Sequence, residues 1–267
     1  MHIYSLPEVL AALQIKMEIM QQTRYQDPRN LVSFGDKRFS QSDEDGIIGE
    51  IFRRIGTTSR RFVEIGVQDG LENNSLSLLL SGWAGTWIEA DEQFTAFINA
   101  KFQKAVADKR LSVLQRFVNA SNAASIASEC ESGALDLLSI DIDGNDFHVA
   151  PSFLNLRPWA VVLEYNARFG AHNDWVIPYN PIHQWNGTVY FGASLAAWKR
   201  QLNELDYSLV SCNLLGNNSF FVSRDCLGTD FHNFDDLEFH FEPARYYLLP
   251  AFQIGHPLDR RAETSYF

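Results

Sequence analysis

Three cysteines in 267 residues, Cys130, Cys212 and Cys226, are too few and too scattered to frame a disulfide scaffold. None stands in the CxxC pair that zinc or redox chemistry favours, so they read as reduced, partly buried thiols. No apolar run approaches the roughly 18 residues that cross a bilayer, and the N-terminus has no basic stretch leading into an apolar one. The expectation is a cytoplasmic protein without a membrane span, in which a sequon such as Asn73-Asn74-Ser75 carries no meaning. Positive charge is scarce: 22 Lys and Arg stand against 33 Asp and Glu, a formal net charge of −11. That balance argues against nucleic acid or an anionic membrane surface as the principal partner. Internal repeats and low-complexity segments are absent as well.

What is present is ordinary globular material, 46% hydrophobic and 21% charged, enough for one buried sheet flanked by helices. Leu10, Leu13, Ile15, Met17 and Met20 recur at near-helical spacing between about Pro7 and Gln22, predicting a first helix that caps the domain or pairs two copies in a homodimer. Tyr25 to Phe39 reads as a connecting loop. A second helix is expected from near Ser40, with Ser42, Glu44 and Asp45 in its first turn and Ile47, Ile48, Ile51 and Phe52 on its apolar face.

From Arg61 short apolar runs alternate with helical segments, the mark of a parallel sheet with crossover helices. Strands are expected at Phe62–Ile65, Thr86–Glu89, Leu111–Gln115, Leu135–Ile140, Val161–Tyr165, Tyr207–Cys212 and Asn218–Ser223. Helices are expected near Ser75–Ser81, Phe94–Val106, Ala120–Glu129 and Ala193–Leu205. The last two strands are joined by only Asn213-Leu214-Leu215-Gly216-Asn217, so they must form an antiparallel hairpin, because a parallel return needs a dozen residues or more. The fold class is therefore α/β: a doubly wound, seven-stranded, mostly parallel sheet with the last strand antiparallel, plus an N-terminal helical extension. Residues 1–39 form that extension, 40–224 the core and 225–267 an aromatic tail packing on the core.

In open parallel sheets ligands bind beyond the carboxyl ends of the strands, so the residues after each strand carry the chemistry. After the first strand stands Gly66-Val67-Gln68-Asp69-Gly70, with Glu64 inside the strand. Its glycines are four apart with an acidic residue between them, which departs from the dinucleotide pattern GxGxxG and repels a pyrophosphate. A negative turn suits the cationic amino-acid end of S-adenosylmethionine instead. Glu89, about 25 residues beyond Glu64 at the end of the second strand, is the expected ribose ligand.

After the fourth strand, Asp141, Asp143 and Asp146 crowd into six residues, and Glu164 and Asn166 follow the fifth. Asp141 or Asp143 with Glu164 and Asn166 can surround a hard divalent cation, Mg2+ or Mn2+, which would lower the pKa of an acceptor hydroxyl. Alternatively Asp141 bonds loop amides or the methionine amino group while Glu164 caps a structural network. Candidate bases are His148, His172 and His183, since histidine titrates near neutrality, together with Asp143. The long polar segment Asn166–Thr188, with Trp175, Tyr179 and Trp185, can line a pocket for a sugar or other amphipathic acceptor.

Several motifs in order carry a family resemblance: Ser40-Gln41-Ser42-Asp43-Glu44-Asp45, Phe62-Val63-Glu64-Ile65-Gly66 with Asp69-Gly70, Glu72-Asn73-Asn74-Ser75, Gly85-Thr86-Trp87-Ile88-Glu89, Ser139-Ile140-Asp141-Ile142-Asp143-Gly144 and Tyr190-Phe191-Gly192-Ala193-Ser194. Over roughly Phe39 to Ser223 the chain resembles the FkbM-like branch of class I S-adenosylmethionine-dependent methyltransferases. The resemblance implies S-adenosylmethionine as cofactor, held by Glu64, Gly66, Asp69, Gly70, Asn74, Glu89 and Asp141, and O-methylation of a sugar, glycan precursor or secondary metabolite. The acidic adenine contact usual after the third strand is missing from Gln115-Arg116-Phe117-Val118-Asn119, leaving Asn119 or Phe117 for that place. N- or C-methylation without a metal, or a scaffold on the same fold without activity, are the alternatives, because fold alone does not prove activity.

Overall fold

A run of four to six apolar residues can be buried on both faces only if helices cover both sides of a sheet. The computed structural model describes residues 4–130 and 133–252 and has that arrangement. Its strands are β1 (Arg61–Ile65), β2 (Ala84–Glu89), β3 (Leu111–Gln115), β4 (Leu137–Ile140), β5 (Ala160–Glu164), β6 (Tyr207–Cys212) and β7 (Asn218–Ser223). They form a seven-stranded sheet in the order β3-β2-β1-β4-β5-β7-β6, in which only β7 runs against its neighbours β5 and β6. The hairpin turn is closed by Asn213, whose Oδ1 accepts the amides of Asn217 at 3.0 Å and Asn218 at 2.9 Å.

The helices are α1 (Leu6–Met20), α2 (Thr23–Gln26), α3 (Glu44–Ile55), α4 (Leu76–Leu80), α5 (Glu92–Lys101), α6 (Gln103–Ala107), α7 (Ala123–Glu129), α8 (Asp146–Leu154), α9 (Leu195–Asn203) and α10 (Leu237–His240). Strand residues alternate between two cores. Val63, Leu138, Val161 and Phe221 pack with α7, α8 and α9 on one face, whereas Phe62, Leu137, Val162 and Phe220 pack with α3, α4 and α5 on the other. A third apolar cluster joins Ile19 of α1 to Leu214 and Leu215 of the hairpin turn and to Leu248 and Phe252 of the tail. Residues 253–267 of the tail lie outside the described residues. No helix among the described residues is long and apolar enough to cross a membrane.

The expected elements differ from the structure in several places, of which these bear on the site. The helix expected over Phe94–Val106 starts earlier, at Glu92, because Asp91 Oδ1 accepts the Gln93 and Phe94 amides. It also breaks at Phe102, whose ring is 1% exposed and meets Trp87 edge-on with centroids 4.9 Å apart. The crossover helix α8 is unmarked in the sequence because Pro151 interrupts its pattern. β4 begins at Leu137, and the buried Asp136 carboxylate just before it accepts the amides of Thr58, Ser59 and Arg60. α3 begins at Glu44 with Asp43 as N-cap, and Asp45 turns back to accept the amides of Arg38, Phe39 and Ser40. Glu44 reaches Ser42 and the side chains of Asn213 and Asn218, so this acidic triplet ties the entry of α3 to the β6–β7 turn.

Candidate functional site

Strand order reverses direction between β1 and β4, and the loops leaving their carboxyl ends form the rim where such sheets bind ligands. After β1 the chain turns at Gly66, with φ +83°, whose amide donates to Ile88 O at 2.9 Å. A Cβ there would run into the Asp141 carbonyl oxygen and lie 2.8 Å from its carbonyl carbon. Only glycine lets the two loops approach so closely. Gly70, with φ +75°, ends the turn on Trp87, where a Cβ would come within 2.8 Å of the indole. Between them the Gln68 amide donates to Glu89 Oε2 at 2.7 Å, and Asp69 Oδ1 accepts the Leu71 amide at 3.1 Å.

The two predicted glutamates are both buried and both accept backbone amides, but from different loops. Glu64 is 4% exposed and faces inward: Oε1 accepts the Asn74 amide at 2.8 Å, and Oε2 accepts the amide and hydroxyl of Ser75. Burial pushes its pKa up to about 7 against those donors. Glu89 stands at the end of β2, with Oε1 accepting the Ala90 and Asp91 amides. Asn74 also donates through Nδ2 to Ser139 Oγ of β4 at 3.1 Å, tying the α4 entry to the acidic strand end.

Beyond β4 the loop is organised by Asp146, fully buried, whose two oxygens accept the amides of Ile142 at 2.8 Å and Gly144 at 2.9 Å. That pairing holds Asp143 at φ +57°, a left-handed conformation that a side chain seldom adopts. Carboxylate oxygens of Asp141, Asp143 and Glu164 all lie within 4.8 Å of one another. Burial first, then the charges of Asp146, Asp143 and Glu64, push Asp141 well above the usual carboxylate range. Glu164 is raised likewise by burial and then by Asp141, and its Oε2 has no partner among the described residues. Asp143 is raised by burial and lowered by His183.

Of the histidines, His183 comes to this loop: a Cβ on Gly144 would strike its Cδ2 and lie 2.6 Å from its Nε2, which has no partner among the described residues. His148 sits in the first turn of α8, its Nε2 2.7 Å from Ile177 O and its ring 5.3 Å from that of Tyr179. His172 lies apart on the surface, paired with Glu238 at 2.8 Å, with both side chains about two-thirds exposed. Asn166 is 2% exposed and donates through Nδ2 to Val189 O at 2.8 Å and Phe191 O at 3.1 Å, while its Oδ1 accepts the Arg168 amide. Its amide thus anchors the 177–191 segment, whose other end is held by Asn145 donating to Asn180 O at 2.7 Å. Trp175 stacks on Phe169 with centroids 4.3 Å apart, leaving Trp185 and Tyr190 exposed on the segment.

Of the residues proposed for the adenine place, and of the tail, the structure shows the following. Phe117 is 49% exposed after β3, whereas Asn119 spends its Oδ1 on the amides of Ser121 and Asn122. Tyr246 of the tail is close enough to Glu164 and Asp141 that burial and then these carboxyls push its phenol up to about 12. Nothing in the sequence around Tyr246 marks it, because the tail has no periodicity to place it.

No family model matches the sequence, and no curated protein does. Among solved structures, a presumed caffeoyl-CoA O-methyltransferase from Staphylococcus aureus is 12% identical at a TM-score of 0.50, covering 82% of this chain and 100% of that one. The O-methyltransferase from Bacillus cereus in complex with SAH is 17% identical, TM-score 0.43, with 82% and 90% covered. Magnesium protoporphyrin IX methyltransferase from Synechocystis PCC 6803 with bound SAH is 12% identical, TM-score 0.47, with 79% and 99% covered. The strand order with its reversed β7 and the Staphylococcus aureus likeness define the class: this is a Rossmann-like methyltransferase fold.

Proposed function

We propose that the chain transfers the methyl group of S-adenosylmethionine to a hydroxyl of a small acceptor, a sugar, glycan precursor or secondary metabolite, as its resemblance to the FkbM-like branch implies. The observation that carries the reading is the Gly66–Gly70 turn, held between the Asp141 carbonyl and the Glu89 carboxylate at the switch point of the sheet. The tight turn at the strand ends fits a ligand lying against the loop backbone at the switch point, and Glu89 at the next strand end fits a ribose diol. When bound, the cofactor supplies a sulfonium methyl: the acceptor oxygen forms the new O–C bond as the S–C bond breaks, its electron pair stays on sulfur, and S-adenosylhomocysteine leaves.

This chain's residues orient the acceptor and take its proton. Asp143, facing His183, is the base in this reading, with His183 able to share the proton. His148 and His172 have their Nε2 atoms engaged by Ile177 and Glu238, which favours Asp143 and His183 over them. Asp141, Asp143 and Glu164 also fit Mg2+ or Mn2+ by their oxygen donors and by the unpartnered Oε2 of Glu164. Such an ion would add Lewis acidity toward the acceptor hydroxyl. Asn166 fits that ligand set less well, since its amide holds the 177–191 segment.

Calorimetric titration with S-adenosylhomocysteine tests the reading, repeated with Mg2+ or Mn2+ and after chelation. Micromolar binding supports it; no binding under any of these conditions removes it and leaves the scaffold alternative.

A further inference from the structure

Asparagine at a helix N-cap ordinarily turns its side chain onto the amides of its own helix. Asn145, the N-cap of α8, makes no such bond. It is 5% exposed, and its side chain serves another segment instead: Nδ2 donates to Asn180 O at 2.7 Å, and Oδ1 accepts the Asn180 amide at 3.4 Å. One buried side chain thus grips both backbone groups of a single residue elsewhere in the chain.

Asn180 in turn opens a tight turn. Its carbonyl also accepts the His183 amide at 3.0 Å, and its Oδ1 accepts the Ile182 amide at 3.2 Å. Pro181 takes the second position, where its fixed φ stiffens such a turn. The place of Asn180 therefore passes to His183 with little freedom in between. The imidazole arrives on Gly144, the neighbour of Asn145: a Cβ there would strike His183 Cδ2 and lie 2.6 Å from Nε2. Gly144 has no left-handed φ that calls for glycine, so the space it leaves is space for this ring. His183 Nε2 has no partner among the described residues, so no bond through that atom holds the ring. Ile177 and Tyr179, just before the turn, have anchors of their own in His148 and the Ala120 amide. Asn145 accordingly governs the turn rather than the whole segment.

We infer that Asn145 is a positioning residue: by clamping Asn180 it sets the His183 imidazole on Gly144, beside Asp143. The inference rests on the reading in which Asp143 and His183 take the proton of the acceptor, and it names the residue that keeps the pair together. Without the clamp the pair parts, because Asp143 stays in the loop that Asp146 holds through Ile142 and Gly144.

The test combines nuclear magnetic resonance with carbethoxylation of histidines mapped by peptide mass. Both are applied to the wild-type chain and to Asn145→Ser, which keeps a residue suited to a helix N-cap. In the wild type a nuclear Overhauser contact joins His183 Hδ2 to the Gly144 Hα protons, and His183 is modified more slowly than the exposed His172. Asn145→Ser is expected to lose that contact and to raise the His183 rate at least about fivefold, the shift that one buried hydrogen bond commands, while circular dichroism stays unchanged. Pro181→Gly slackens the turn with the clamp intact and should act in the same direction, which decides the matter if Asn145→Ser does not fold. Asn166→Ala frees the far end of the segment and should raise the rate less. Both readouts are taken without cofactor or acceptor, so absent S-adenosylhomocysteine binding would remove the methyl-transfer reading and leave the clamp to be judged on the ring. An unchanged contact and rate in Asn145→Ser or in Pro181→Gly, or a rise in Asn166→Ala as large as in Asn145→Ser, overturns the inference.

Discussion

Gly66 and Asp141 meet backbone to backbone, at the exit of β1 and the exit of β4, so closely that no side chain fits between them. Gly66→Ala must therefore both enter a left-handed conformation and push the acidic loop away. We expect a loss of roughly 2–4 kcal/mol of stability and no measurable S-adenosylhomocysteine binding. Gly82→Ala is the control: φ is +87° there but nothing lies within 4 Å, so only about 1 kcal/mol is lost and binding is kept. Chemical denaturation and calorimetry on the two variants read the difference, and equal behaviour would remove the loop-contact argument.

Glu89 and Glu64 should part company under substitution. Glu89→Ala is expected to weaken S-adenosylhomocysteine by about 10- to 100-fold, the loss of a charge-assisted contact. Glu64→Gln, whose carboxylate is spent on Asn74 and Ser75, should leave affinity within a fewfold and act on stability instead. An affinity loss at Glu64 as large as at Glu89 would make both of them ligands.

The same Glu64 predicts a pH dependence. Its folded pKa of about 7 lies above its ordinary value of 4.5 because of burial, so the folded state holds a proton that the unfolded chain releases. The contribution is fully present below pH 4.5 and falls as pH rises toward 7, by about 1.4 kcal/mol per unit at most. Urea midpoints measured across that window should decline, and Glu64→Gln should flatten the decline. A slope unchanged in the variant would place its origin in another group.

Asn166→Ala should free the segment that Asn166 holds through Val189 and Phe191. Two buried amide contacts are lost, about 1–3 kcal/mol in all. Limited proteolysis is expected to cut faster between Ile182 and Val189, while S-adenosylhomocysteine affinity stays unchanged. Unaltered proteolysis would show that the segment is held elsewhere.

A cation at the acidic cluster would show directly as Mn2+ binding followed by paramagnetic resonance. Glu164→Gln is expected to weaken it at least about tenfold, and Asn166→Ala should matter less. If Asn166→Ala weakens Mn2+ as much as Glu164→Gln does, the amide joins the ligand set.

Much of this molecule was legible one residue at a time. Alternating Phe62 and Val63, or Leu137 and Leu138, announce a sheet covered on both faces, and a five-residue turn between β6 and β7 permits only an antiparallel hairpin. Those signals are local, so the chain itself determined the sheet, its reversed last strand and the polar strand ends at Gly66, Glu89, Asp141 and Glu164. Roles that depend on distance were not local. Glu64 and Glu89 look alike in sequence, yet Glu64 is tied to the entry of α4 through Asn74 and Ser75 and Glu89 to the Gly66–Gly70 turn through the Gln68 amide. Nothing in the sequence separates His172, His148 and His183, and only the path of the 177–191 segment brings His183 rather than His172 to Asp143. Tyr246 reaches the same cluster from a tail without periodicity. Secondary structure follows from the spacing of neighbours along the chain, whereas a site is a meeting of residues distant in sequence, which only tertiary packing decides.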